Sequence, residues 1–331
     1  MKVMLNKKDV VYSSVENIMK NNKLGLILNP ESDDTNPVLG KLIQILNEED
    51  VDEDLNVKVV FTTSQFVQAG LIYGENVIFV SKGLIASLCR LSDAIVDNIP
   101  YSDEKNNITL ISLVDYYGIK SEFEKGDIGK GRNALIFCLV KTMFDFIYNH
   151  ECGHFLNNHG IAARKNLEVE VDHKSSVLSP EEAISLQAKE LVADERAAIN
   201  FKIYANSNIT DALGLHHVLH DSVADILTLT SIYAYFRMMH KYMHTSHYSS
   251  CSHPSWSLRA LWFSHVFSRT TRKEKMGFFT QEALYSLQIV KDVFDQFDNG
   301  SDDAWIFEYE DDAYGEWITK VTEKTLDWYS L

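Results

Sequence analysis

Apolar residues recur with a helical period over much of the second half of the chain. Between Ala134 and Tyr148 they occupy nearly every face, which predicts a long buried helix with Asn133 as its N-cap. A second long helix is predicted from Ser179 to about Tyr204, because Ser-Pro-Glu-Glu supplies an N-cap serine, an N1 proline and an N3 glutamate. Further helices are predicted at about 211–247, 256–269, 280–294 and 314–328.

Short runs of β-branched and apolar residues in the first third of the chain predict strands. The runs are Leu24–Leu28, Val57–Thr62, Val77–Val80 and Thr109–Val114. An amphipathic helix follows the third run and extends to about Val96. A small N-terminal sheet beside many helices predicts a mostly helical α+β fold. Residues 1–130 form its α+β part and residues 131–331 its helical part, in one domain overall.

The long apolar helix leads into the sequence H-E-x-x-H, which begins at His150. Residues four apart lie on one face of a helix, so His150 and His154 can bind one metal ion. Glu151 lies on the same turn, where a general base can take a proton from a water at that metal. A buried helix that carries two histidines needs polar partners for them, and a metal supplies one. Gly160 is predicted as the C′ residue that ends this helix.

The second long helix carries two carboxylates among apolar and small residues. Glu190 and Asp194 share a face with Leu186, Ala197 and Phe201. Burying such carboxylates without partners is costly, so we expect this face to meet the first helix. Glu190 is then the third metal ligand, and Asp194 accepts the second ring N–H of a ligand histidine. The alternative is a surface helix with ordinary acidic residues.

Other side chains compete for the ligand role. His159 lies nine residues after His150 and is interpreted as a companion of the helix end. Asp172 and His173 lie in a predicted loop and remain candidates. A second cluster, consisting of His216, His217, His220 and Asp221, could bind another metal or could be a solvated or helix-capping group. Cys152 points away from the two ligands and is predicted to pack, with a redox role as the alternative.

Charge and cysteine content narrow the choice of partners and compartment. The net charge of −16 argues against nucleic acid and anionic membranes as partners. Four cysteines without C-x-x-C spacing fit a reducing cytoplasm. We expect a cytoplasmic protein, since the sequence shows neither a signal peptide nor an integral membrane segment. The acidic stretches Glu48–Asp54 and Asp295–Glu316 predict solvated loops or, alternatively, docking sites for a basic partner.

Several segments resemble one group of zinc peptidases. HECGHFLNNH resembles the active-site helix H-E-x-x-H-x-x-x-x-H of the gluzincins related to the HtpX heat-shock protease and the CAAX prenyl proteases. ELVADERAA resembles their E-x-x-A-D-x-x-A helix, and SHPSWSLR resembles their later H-P-S-x-x-x-R segment. Asn76–Ile85 resembles their edge strand and the helix after it. A weaker resemblance, through the zinc site alone, is to the Lit-type phage-exclusion peptidases, which cleave a translation elongation factor.

The resemblance covers about Phe61 to Arg269, with gaps, and leaves the first 50 and the last 60 residues unmatched. A long insert from about Ile99 to Gly131 and the missing membrane helices are departures from the best-known members. The implied fold is zincin-like. The implied activity is that of a zinc-dependent endopeptidase acting on a protein or peptide substrate.

The resemblance also implies the site residues. His150, His154 and Glu190 bind Zn²⁺, and Glu151 is the base. His253 and Arg259 are candidate oxyanion donors, or else a turn histidine and an arginine that pairs with an acid near Asp194.

Two alternatives to a constitutive peptidase remain. One is a regulatory, toxin-like or phage-defence protease that is silent until triggered, with Ser121–Gly131 as a gate. The other is a non-catalytic zinc-binding protein, although a structural zinc site usually closes with a fourth Cys or His.

Overall fold

The computed structural model describes residues 10–29, 37–48, 57–98, 131–159, 167–169, 178–212, 220–240, 248–269, 276–298 and 312–329. Several predictions lie outside these residues. They concern the strand Thr109–Val114, most of the insert before Gly131, the loop residues Asp172 and His173, and the histidines His216 and His217.

The chain begins with two helices and then forms a small mixed sheet. The helices are α1 (Val10–Asn21) and α2 (Pro37–Glu48), and the strands are β1 (Lys58–Thr62), β2 (Ala69–Ile72), β3 (Val77–Ser81) and β4 (Leu167–Val169). The strand order is β1-β3-β2-β4, with β1 parallel to β3 and the other pairs antiparallel. The predicted strands β1 and β3 are confirmed. Leu24–Leu28 forms only an isolated bridge, between Ile27 and Thr62.

Helices make up most of the remaining described chain, so the prediction of a mostly helical α+β fold is confirmed. They are α3 (Lys82–Asn98), α4 (Gly131–Leu156), α5 (Pro180–Ala212), α6 (His220–His240), α7 (Trp256–Arg269), α8 (Met276–Asp298) and α9 (Asp312–Lys324). No helix in the described parts of the chain is long and apolar enough to span a membrane.

Local sequence signals predict some of the helix boundaries correctly and others incorrectly. α4 begins at Gly131, so the prediction of Asn133 as its N-cap was wrong. α5 extends to Ala212, beyond the predicted end, because neither glycine nor proline interrupts the chain before Gly214. Its predicted capping box is confirmed: the N–H of Ser179 donates to Oε2 of Glu182 (3.0 Å), and the N–H of Glu182 donates to Oγ of Ser179 (3.3 Å).

Helix α4 is the centre of the main hydrophobic core, which joins the chain before residue 99 to the chain after residue 131. On one side, Phe144 stacks on Phe61 of β1 with the ring centroids 6.0 Å apart. On the other side, Phe146 makes edge contacts with Phe236 of α6 and Phe263 of α7. Contacts on opposite faces explain why α4 is apolar nearly all round. They also place the sheet against the helix that carries H-E-x-x-H.

A smaller apolar cluster attaches the C-terminal helix to α5. Trp317 and Val321 of α9 are buried there with Ala188 and Leu191 of α5 and Leu258 of α7. The helix that carries Glu190 therefore lies between α4 and the last helix of the chain.

Candidate metal centre

Small residues let the helices α4 and α5 approach closely at the H-E-x-x-H motif. A Cβ atom added to Gly153 would lie 3.0 Å from both Cα and the carbonyl oxygen of Ala193. These two positions are one residue from His154 and three residues from Glu190. The close approach therefore brings side chains of the two helices into one cluster.

Three of the residues predicted as ligands meet in that cluster. Nε2 of His150 lies 3.0 Å from Nε2 of His154, and each lies 3.3 Å from Oε2 of Glu190. All three side chains are buried, and together they form a group that could hold a metal ion. Glu151 is also buried, with only 1 % of its surface exposed.

The spacing of these three atoms suits a small tetrahedral ion. Ligands 2.0–2.1 Å from such an ion are separated from each other by about 3.3–3.4 Å, close to the distances found here. Among the described residues, none donates a well-aligned hydrogen bond to the buried Oε2 of Glu190. A buried carboxylate oxygen without such a donor is costly, and a cation among the three atoms would satisfy it. Two histidines and a carboxylate therefore fit a metal with an open coordination position.

The outer nitrogen of His150 is held by a buried ion pair. Nδ1 of His150 lies 2.8 Å from Oδ1 of Asp194, which directs Nε2 toward the cluster. Nε and Nη2 of Arg259 donate to Oδ2 and Oδ1 of Asp194, both at 2.7 Å. The guanidinium group also lies 4.2 Å from the ring centroid of Trp256. Arg259 thus pairs with Asp194, the carboxylate beside Nδ1 of His150. This is the structural role that the sequence offered as the alternative to an oxyanion donor.

The outer nitrogen of His154 is held by a second histidine. Nδ1 of His154 lies 2.8 Å from Nδ1 of His159, and Nε2 of His159 lies 3.1 Å from the carbonyl oxygen of Trp328. His159 thus lies against His154 at the end of α4 and is not one of the three residues whose atoms converge. Burial lowers the pKa of His159 to about 3, so its ring is neutral at physiological pH.

The end of α4 brings His159 into this position. The helix ends at Leu156, and Asn158 adopts a left-handed backbone conformation with φ of 53°. The prediction that Gly160 ends the helix was therefore wrong, because asparagine also tolerates this conformation and occurs earlier. The reversal at Asn158 folds His159 back against His154.

Neighbouring side chains set the ionisation state of the Glu190 carboxyl group. Burial by itself raises the pKa of Glu190, but His154, His253 and the Lys189 ammonium group outweigh it and lower the pKa well below its usual range. Nζ of Lys189 lies 3.4 Å from Oε1 of Glu190, on the oxygen that does not face the histidines. Burial also lowers the pKa of His154, against the pull of Glu190. The cluster thus presents an ionised carboxylate.

The turn that carries His253 also reaches the cluster. Nε2 of His253 lies 3.7 Å from Oε2 of Glu190, and Nδ1 lies 2.9 Å from Oγ of Ser252. The side-chain amide of Gln187 on α5 donates to the carbonyl oxygens of Tyr248 and Cys251, at 2.6 and 3.0 Å. The turn is therefore attached to the same helix as Glu190.

Three contributors to the centre were not identified from the sequence. They are Lys189, Gln187 and the carbonyl group of Trp328. Lys189 had a usable signal, because it directly precedes Glu190, whose face of the helix was predicted to meet α4, and a lysine buried there needs an anionic partner. No local signal marks Gln187 or Trp328, since their partners lie far away along the chain.

Comparison of this chain with protein-family models, curated proteins and solved structures finds no match.

Gly153→Ala tests whether helix proximity determines the metal centre. The added methyl group forces α4 and α5 apart, so we expect a loss of about 1–3 kcal/mol of stability. Metal affinity should fall with it, because Glu190 moves away from the histidines. Urea unfolding and metal competition titrations measure the two effects.

The matched control is Gly315→Ala in α9, where an added Cβ meets nothing within 4 Å. It should raise stability by up to about 1 kcal/mol. Equal behaviour of the two variants would contradict the proximity argument.

Proposed function

We propose that this protein is a zinc-dependent endopeptidase with a zincin-like fold that hydrolyses peptide bonds in a protein or peptide substrate. The observation that carries the proposal is the convergence of His150, His154 and Glu190 beside the buried Glu151. Two histidines and a glutamate are a ligand set of catalytic zinc sites, which keep one position open. The small sheet against α4 and the second ligand helix agree with a zincin-like arrangement.

Each side chain has a defined part in the proposed reaction. Zinc at His150, His154 and Glu190 would supply a Lewis acid that polarises the scissile carbonyl and acidifies water. Glu151 takes the proton from the attacking water and delivers it to the leaving amine. Asp194 orients His150, and Arg259 holds Asp194, so both are positioning residues.

His253 is the proposed donor to the oxyanion of the tetrahedral intermediate. Among the described residues, none forms a hydrogen bond with its buried Nε2. Because the Ser252 hydroxyl can donate to Nδ1, Nε2 can carry the proton and donate it toward the substrate.

Metal analysis of the purified protein tests the proposed centre. Wild type should contain one zinc ion per chain, and His154→Ala should contain much less than one, because two remaining ligands hold zinc weakly. The control is His265→Ala, at an exposed histidine of α7 that should leave the zinc content unchanged. A wild type that binds no metal would defeat the proposal. Stoichiometric iron instead of zinc would redirect it to the oxygenases that share this ligand set.

His253→Ala tests the oxyanion role. We expect kcat to fall by about 10²–10³-fold with little change in zinc content, because the lost hydrogen bond forms only in the transition state. His265→Ala again provides the control, measured on the same substrate. A rise in KM with unchanged kcat would show that His253 binds substrate and does not stabilise the oxyanion.

A cytoplasmic location and a protein substrate complete the proposal. None of the four cysteines, all of them at described positions, forms a disulfide, which agrees with a reducing compartment. The strongly negative chain disfavours nucleic acid as the substrate.

A further inference from the structure

We propose that the C-terminal segment Thr325–Tyr329 is part of the metal centre: its Trp328 carbonyl, acting through His159, directs Nε2 of His154 toward the metal. This inference rests on the proposed metal site. The segment directly follows α9. Its contribution is positioning, since neither Trp328 nor His159 is among the converging ligand atoms.

The directions of the hydrogen bonds follow from the chemistry of the groups. A backbone carbonyl only accepts, so Nε2 of His159 carries the hydrogen in its 3.1 Å contact with Trp328. A neutral imidazole carries one such hydrogen, so Nδ1 of His159 is an acceptor. Nδ1 of His154, 2.8 Å away, must then be the donor. His154 is thereby left with the lone pair of Nε2 directed at His150 and Glu190, as metal binding requires.

Burial of His159 favours this one arrangement of its hydrogen bonds. His159 is 0 % exposed, so water does not compete for either of its nitrogens. Its ring lies edge-on between those of His154 and Trp328, with centroid separations of 5.1 and 5.3 Å. Rotation of the ring would break both hydrogen bonds.

The C-terminal segment is itself anchored to the helix that carries Glu190. The N–H of Trp328 donates to the carbonyl of Thr325 (2.9 Å), which closes a short turn. The Tyr329 hydroxyl donates to the carboxylate of Glu195 on α5. Just before the turn, Val321 of α9 is buried against α5. The Trp328 carbonyl is therefore held in a fixed relation to α5 and to the ligand that α5 supplies.

The two ligand histidines consequently have unlike partners. His150 donates to a carboxylate that is itself paired with Arg259, whereas His154 donates to a neutral ring. A carboxylate partner raises the basicity of its imidazole more than a neutral partner does. The contribution of the segment is thus mainly orientation of His154.

Substitutions at His159 separate orientation from packing. His159→Phe retains a ring against Trp328 but lacks an acceptor, so we expect Zn²⁺ affinity to fall about 10–100-fold. His159→Asn can place an oxygen near the position of Nδ1 and should bind Zn²⁺ within about threefold of wild type. Affinity is measured by titrating Zn²⁺ against a competing chelator. The Tm of each metal-free variant reports packing alone.

A double-mutant cycle tests the role of the C-terminal segment. Trp328→Gly frees the carbonyl from its packing and should lower Zn²⁺ affinity in the wild-type background, but not further in the His159→Phe background. Additive losses, or equal affinity of wild type and His159→Phe, would overturn the inference. The inference would also be overturned if His159→Asn bound Zn²⁺ as weakly as His159→Phe. A wild type that binds no Zn²⁺ would defeat this inference together with the proposed function, whereas normal binding by every variant would defeat this inference alone.

Discussion

Glu151→Gln should lower the rate of peptide-bond hydrolysis by about 10²–10⁴-fold while zinc content and stability remain those of wild type. The amide has the size of the carboxylate but cannot accept the proton of the attacking water. Glu151 is not one of the three side chains that could hold a metal ion, so the substitution leaves that group unchanged. The substitution therefore separates catalysis from metal binding.

Comparison of protein termini in cells that express wild type or Glu151→Gln provides the measurement. New N-termini that appear only with wild type identify both the activity and the substrate. Glu181→Gln, at an exposed glutamate in the first turn of α5, is the matched control and should cleave as wild type does. Unchanged cleavage by Glu151→Gln would exclude the general-base role. A zinc-loaded wild type that generates no new termini would identify a zinc-binding protein without constitutive peptidase activity.

Arg259→Met should lower the free energy of unfolding by about 3–5 kcal/mol, the largest loss of stability that we expect from a single substitution. Arg259 and Asp194 are both 0 % exposed, and two hydrogen bonds of 2.7 Å join them. Without the guanidinium group, Asp194 remains buried as an anion with His150 as its neighbour. The penalty is the desolvation of that uncompensated charge.

Urea unfolding of three variants measures this penalty. Arg269→Met, at an exposed arginine at the end of the same helix, should change stability by less than about 0.5 kcal/mol. The double variant Arg259→Met with Asp194→Asn should be more stable than Arg259→Met alone, because the amide carries no charge. An Arg259→Met protein as stable as the Arg269→Met control would show that the ion pair is not a determinant of the fold.

The sequence alone predicted the features that depend on neighbours within one helix. Residues three or four apart lie on one face of a helix. His150 and His154 could therefore be assigned to one face of α4. By the same spacing, Glu190 and Asp194 could be assigned to one face of α5. The capping box at Ser179 is likewise a contact between residues three apart. Strands β1 and β3 were predicted because their β-branched runs are unambiguous.

Two strands escaped prediction for a physical reason. Ala69–Ile72 is short and contains glycine, and Leu167–Val169 is a three-residue strand in a polar segment. Each is a strand because a neighbouring strand supplies its hydrogen bonds: β2 lies between β3 and β4. Such pairing depends on the register of distant segments, and local composition carries little of that information.

The sequence by itself determined that two histidines and three glutamate or aspartate side chains lie on the faces of two helices. Only the tertiary structure decided that those faces meet, through the contact of Gly153 with Ala193, and at distances that suit a metal ion. It also decided what surrounds them: Arg259 lies 65 residues from Asp194, and Trp328 lies 169 residues from His159. Helical periodicity is a property of adjacent turns, whereas these contacts result from the packing of whole helices, which no local pattern encodes.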